Sequence, residues 1–268
     1  MLRVATGRLI CPNVVECEGL LDFTMLLALA GIGLTAGFVD AIAGGGGLIA
    51  LPALLSFGFP PVNALATNKL QSAIGTAVAA FTYWRGGYVR IRALLPAIAA
   101  TGVGSFLGAM TVKGIDTSIL GLAVPVALIG VAAYFLFAPR LTDADKAARL
   151  PFARFVPVMG FAIGYYDGIF GPGTGSFMTM GFVTLFGLGL LRASAHTKLL
   201  NLTSNLAALS LFIFTGDVLW PAALAMAAGQ VAGGYLGART GIRFGARIIR
   251  PLVIAISVIL AARLLLVR

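Results

Sequence analysis

Charged side chains are what this chain has least of. They make up 10% of its 268 residues, whereas a soluble domain carries about 25%. The shortage excludes a single water-soluble core, because 59% of the residues are hydrophobic and the mean hydropathy is +1.00. Histidine occurs once, as His196, and cysteine twice, as Cys11 and Cys17. A C-x5-C spacing with no histidine beside it is no zinc pair, and two thiols make no disulfide framework. Acid is scarcer than base: 9 Asp and Glu face 19 Lys and Arg, for a net charge of +10. In a soluble protein that balance would point to nucleic acid. Here no aromatic-basic stripe accompanies it, so no nucleic-acid partner is expected. Residues 1–22 lack an apolar stretch ahead of a cleavage site, which argues against a signal peptide. They read as a leader, with Met25 as an alternative start.

Uncharged runs of membrane-spanning length are plentiful. They include Phe23–Val39, Ala93–Val112, Thr117–Ala138, Gly168–Leu191, Leu199–Gly216 and Val218–Ala238. About 20 mostly apolar residues carry a helix across hydrocarbon. The runs lack strict alternation, so the expected class is an all-α polytopic membrane protein. Expected segments are 23–43, 47–58, 63–84, 91–112, 117–138, 152–170, 174–190, 195–215, 218–240 and 246–266, for eight to ten crossings. Tyr83, Trp84, Tyr88 and Trp220 suit aromatic belts at the interfaces.

The chain repeats itself. Gly37-Phe38-Val39-Asp40 leads into four glycines, Gly44 to Gly47, and then to Asn68-Lys69. Gly164-Tyr165-Tyr166-Asp167 leads into Gly171-Pro172-Gly173-Thr174-Gly175, and then to Thr197-Lys198. The likeness extends to residues 104–111 and 233–240, at the same offset of 129 that relates Lys69 to Lys198. Residues 23–138 and 155–268 are therefore read as two repeats, joined by a polar linker at 139–154. Loop charge bears on their orientation. It favours inverted repeats: Arg85, Arg90, Arg92, Arg140, Lys146, Arg149, Arg154, Arg192, Arg239, Arg243, Arg247 and Arg250 then share the cytoplasmic side, while Lys113, Asp116, Asp217 and both termini face out. Segment 47–58 is short for a span and is expected to be re-entrant.

Each copy places an acid, a glycine break and a lysine in apolar sequence, where charge is costly and marks function. Glycine breaks free backbone N–H groups that must face polar surroundings or protein. A helix starting beyond such a break offers N–H groups and a positive dipole end to an anion. Lys69, Lys198, Gly45, Gly46, Gly173, Thr174, Asn68 and Asn201 are thus the expected anion-binding residues, with the Ser176 hydroxyl as a further donor. Asp40 and Asp167 are expected either to couple transport, through a proton or sodium ion, or to cap the freed N–H groups. The competing structural reading pairs Asp40 with Lys69 and Asp167 with Lys198. Asn205, Asn201 and Lys198 share one helix face. A Ser176–His196 protease is disfavoured, because the sequence around Ser176 is no nucleophile elbow. No catalytic residue, cofactor or resident metal is expected.

These motifs resemble the sulfite exporter TauE/SafE family of multi-pass membrane proteins, most closely its YfcA-like branch. Residues 36–47, 63–71, 166–177, 195–205 and Ile249-Arg250-Pro251 carry the resemblance, which covers the chain from about residue 23 onward. It implies export of a small anion, such as sulfite or an organosulfonate, across the bacterial inner membrane. A cation-coupled importer or channel using Asp40 and Asp167 is the alternative reading of the residues.

Overall fold

A computed structural model describes residues 21–116 and 144–244, together with Ile119 and Val126. The expected segments 117–138 and 246–266, most of the leader, both cysteines and the 249–251 motif lie outside the described residues, apart from those two positions. Among the described residues there are eight helices and no strand. They are α1 (Phe23–Ala43), α2 (Gly47–Ser56), α3 (Pro61–Arg85), α4 (Ile91–Lys113), α5 (Phe152–Ile169), α6 (Thr174–Thr184), α7 (Leu190–Phe214) and α8 (Trp220–Phe244). By length and composition, α1, α4 and α7 are each apolar enough to cross a membrane.

Local chemistry sets the boundaries. Asp22, which the sequence reading placed in the leader, caps α1 by accepting the Met25 N–H at 2.7 Å. Gly44 ends that helix in the left-handed conformation, φ +78°, and returns its N–H to the Asp40 carbonyl. Pro61 opens α3, where its missing N–H costs nothing. α5 begins at Phe152, where segment 152–170 was expected to start, while the boundary between α6 and α7 differs from expectation. α6 stops at Thr184 because the chain turns through Gly187, φ +69°, and α7 starts earlier, at Leu190. At 1.5 Å per residue, α2 and α6 are about 15 Å long, half the hydrocarbon thickness.

The internal repeat is visible in the backbone. Left-handed glycines recur as Gly44 and Gly171, Gly58 and Gly187, and Gly87 and Gly216. Helices α3 and α7 begin and end at equivalent positions, both offset by 129. The two extra residues of the second copy fall between Thr174 and Gly187, one in the short helix and one in the turn. Contacts between the halves are exchanged. α1 packs along α8, and its repeat mate α5 packs along α4. A Cβ on Gly233 would strike the Leu34 carbonyl, and one on the equivalent Gly104 would strike the Phe161 carbonyl. Gly237 and Gly108 repeat the pattern against Phe38 and Tyr165. Glycine lets backbones touch where no hydrophobic force drives helices together. α3 and α7 cross at the centre, joining both halves.

The distribution of polarity is inside out. Asp40, Lys69, Gln71, Asp167, Lys198, Asn201, Asn205 and Gln230 are buried. Phe81, Leu95, Val103, Met110, Val158, Leu206, Leu224 and Leu236 are exposed. Water would not tolerate this arrangement, but lipid favours it. Trp84 and Trp220 are half exposed, as belts require, whereas Tyr83 is fully buried and donates to the Ala41 carbonyl at 3.2 Å.

Candidate functional site

The two glycine breaks meet in the middle of the protein. Gly44 lies against Gly175 and the Ser176 N–H so closely that neither glycine has room for a Cβ. Gly47 faces Pro172 in the same way, with a Cβ position 3.3 Å from its Cα. The two breaks are thus in backbone contact, with no gap between them at this point. Ser176 donates to the Ala43 carbonyl and fastens α6 to the end of α1.

Both buried ion pairs are crossed. Lys69 on α3 meets Asp167 on α5 at 2.7 Å, and Lys198 on α7 meets Asp40 on α1 at 2.9 Å. Pairing within each copy, Asp40 with Lys69 and Asp167 with Lys198, does not occur. The reason is the exchanged packing, which lays each lysine-bearing helix against the other half. Side chains of Lys69 and Asp167 are 1% and 2% exposed, so this pair is cut off from water.

The pairs are not equivalent. The Lys198 ammonium donates to both Oδ2 and the main-chain carbonyl of Asp40, while Oδ1 of Asp40 accepts the Gly46 N–H at 3.2 Å. That carboxylate caps the first break, one of the two roles expected for it. In the second copy Oδ1 of Asp167 accepts the Thr174 hydroxyl at 2.7 Å. The same hydroxyl reaches the Gly171 carbonyl, and the Tyr166 hydroxyl closes the break by donating to Pro172. Among the described residues the Asp167 carboxylate is the one ion-pair partner of the Lys69 ammonium, which makes no further hydrogen bond there. An ammonium carries three donors. Gly171, φ +87°, leaves space beside it: a Cβ there would stand 3.3 Å from Lys69 Nζ and 3.4 Å from Asp167 Oδ1.

The remaining expected residues divide. Asn68 lies beside Gly47 and accepts from Gln71 at 2.7 Å. Asn201 accepts from Asn205 on the same helix face. Gly173 caps α6 at φ +79°. Gly45 faces Val39 and Leu48 of its own half. Gly46 spends its N–H on Asp40, and Thr174 and Ser176 spend their hydroxyls on protein acceptors, so these three donors are already engaged. His196 bonds the Arg192 carbonyl at 2.7 Å and packs against Phe152 and Phe182. It and Ser176 serve separate partners, which leaves the protease reading without support. Gln230 escaped the sequence reading. It donates to Gln71 across the centre, in space that Gly37 and Gly75 leave open. A lone amide in the run Val218–Ala238 was its signal.

Fold and site together define a polytopic helical membrane protein with a paired, charged, glycine-broken core. The chain belongs to the sulfite exporter TauE/SafE family, whose model matches residues 29–264. It is 44% identical over 245 residues to a Sinorhizobium protein named "Probable membrane transporter protein ORF9", covering 91% of this chain and 94% of that one. Against the Escherichia coli K12 "Probable membrane transporter protein YfcA" it is 42% identical over 234 residues, 87% of each chain. A Haemophilus influenzae "Probable membrane transporter protein" is 41% identical over 240 residues, covering 90% of this chain and 94% of its own length. No solved structure matches significantly. The protein is accordingly a probable membrane transporter, and none of these relatives carries an enzyme's name.

Proposed function

We propose that the chain exports a small anion, such as sulfite, an organosulfonate or a related organic anion, across the bacterial cytoplasmic membrane. The observation that carries this reading is the Lys69–Asp167 pair. A buried ammonium with donors to spare stands beside a glycine that leaves it room. An entering oxyanion replaces the Asp167 carboxylate on Lys69. Asp167, still held by Thr174, then takes a proton or sodium ion, because an unpaired buried carboxylate is costly. Each pair bridges the two halves, so the exchange loosens one of their fastenings. The family's name, sulfite exporter, supports the substrate class.

The repeats are inverted in this reading. Asn63, at the start of α3, bonds the Asp217 carbonyl just past the end of α7, and Lys113, at the end of α4, pairs with the Asp217 carboxylate. These contacts support equivalent helices α3 and α7 running in opposite directions. The end with Asn63, Lys113 and Asp217 faces out, and the end with Arg85, Arg239 and Arg243 faces the cytoplasm, in keeping with the positive-inside rule. Lys69 and Lys198 each stand on the third turn of their helices, entered from opposite faces.

Flux from proteoliposomes tests the reading, with sulfite, sulfonates and carboxylates offered with and without a proton gradient. Lys69→Gln is expected to abolish efflux of the transported anion. Normal sulfur-oxyanion efflux after neutral replacement of both lysines would remove the centre of the proposal. Loss on Asp40→Asn with none on Lys69→Gln would favour a cation-coupled importer or channel.

A further inference from the structure

A second charged feature lies away from the central pairs. The last turns of α3 and α8 enclose a groove of about 1050 Å³. Ala77, Val78 and Leu236 line its apolar part, and Arg85, Arg239 and Arg243 its charged part. Each arginine rests on an aromatic ring: Arg85 on Phe81 at 5.8 Å, Arg239 on Tyr235 at 4.9 Å and Arg243 on Phe244 at 5.2 Å. Among the described residues none of the three is ion-paired. The acids that do make exposed pairs, Asp145 and Asp217, are taken by Arg192 and Lys113. Phe81, Tyr235, Leu236 and Phe244 are themselves well exposed, so the apolar wall opens to the lipid side.

We propose that this groove binds an acidic phospholipid, its phosphate on the three arginines and its acyl chain along Ala77, Val78 and Leu236. Three features select that occupant over a free anion. The charged end continues into an apolar trough that a free oxyanion cannot fill. Stacking on rings orients the planar guanidinium groups and leaves their N–H edges for phosphate oxygens. Basic pockets between transmembrane helices at the cytoplasmic interface are where anionic headgroups bind, and this end carries the basic residues. A lipid there would bridge α3, which bears Lys69, to α8, which packs along α1 and its Asp40. The groove shares no residue with the proposed transport site, and only its cytoplasmic placement rests on the orientation proposed above.

The test is native mass spectrometry and thermal melting of the full chain, with phosphatidylglycerol, phosphatidylcholine or inorganic phosphate added. Phosphatidylglycerol is expected to be retained at least roughly tenfold more than phosphatidylcholine and to raise the melting temperature. Substituting glutamine at Arg85, Arg239 and Arg243 together is expected to abolish that preference. Lysine at the same positions keeps the charge but not the stacked planar donors, and is expected to retain phosphatidylglycerol less than the native protein and more than the glutamine variant, which separates lipid binding from a failure to fold. Equal retention by the native and glutamine proteins would overturn the proposal. So would a melting shift produced as well by inorganic phosphate, or a groove closed by a second copy and seen as a lipid-free dimer.

Discussion

At the residue scale the balance of the buried charges decides what each substitution does. Removing one member of a desolvated pair leaves the other unpaired, which costs about 3–5 kcal/mol. Lys69→Gln and Asp167→Asn are each expected to lower stability by about that much. The double variant should lose clearly less than their sum, and a double-mutant cycle in lipid nanodiscs measures the difference. Gly171 and Gly45 offer a sharper contrast. A Cβ at Gly171 meets a left-handed backbone and crowds Lys69 and Asp167, whereas at Gly45 it finds only ordinary contact with Leu48 at 3.4 Å. Gly171→Ala should destabilise by roughly 1–3 kcal/mol and impair transport, while Gly45→Ala stays within about 1 kcal/mol of the native protein. Acid, glycine and lysine were legible as a repeated set, since charge in an apolar run stands out. Their partners were not, because pairing depends on which half each helix meets, and no local pattern encodes that.

At the element scale, the long helices could be read from uncharged runs, while the short ones were overextended. Nothing in the apolar residues after Thr184 marks the end of α6; the left-handed turn at Gly187 does. That turn is also where the linker docks. Lys146 donates its N–H to the Gly187 carbonyl at 2.7 Å, and Arg149 and Leu150 donate to Leu185. The Asp145 carboxylate accepts the Gly189 N–H and the Arg192 guanidinium, both at 2.6 Å. The Gly189 N–H, helped by Arg192, holds the Asp145 carboxyl below its ordinary value. A depressed carboxylate stabilises the folded form above its unfolded pKa and loses that contribution as pH falls through the folded value. The linker should therefore stay docked at pH 5 and loosen only in more acid solution, below about pH 4. Hydrogen exchange at the Gly189 amide reads this directly. Asp145→Asn should bring the faster exchange to neutral pH.

For the whole molecule, exchanged packing gives a charge-swap test that either pairing could fail. Asp40→Lys with Lys198→Asp should recover much of the stability that either single change loses, because these two side chains meet. Asp40→Lys with Lys69→Asp should recover little. Recovery in the second variant alone would restore pairing within each copy. Two copies were readable in the sequence because their motifs share an offset. That each copy lends a helix to the other's partner was not readable, because glycines such as Gly104 and Gly233 reveal small contacts without naming what they touch.

The crossed pairs also bear on how the chain is made. When the first half has entered the membrane, Lys69 has no counter-ion, because Asp167 has yet to be synthesised. Asp40 waits likewise for Lys198. The first half thus passes through biogenesis carrying two charged groups whose partners belong to its sibling. Separately expressed halves should consequently be short-lived alone and persist together, with electrostatic demand acting as the signal that assembly is complete.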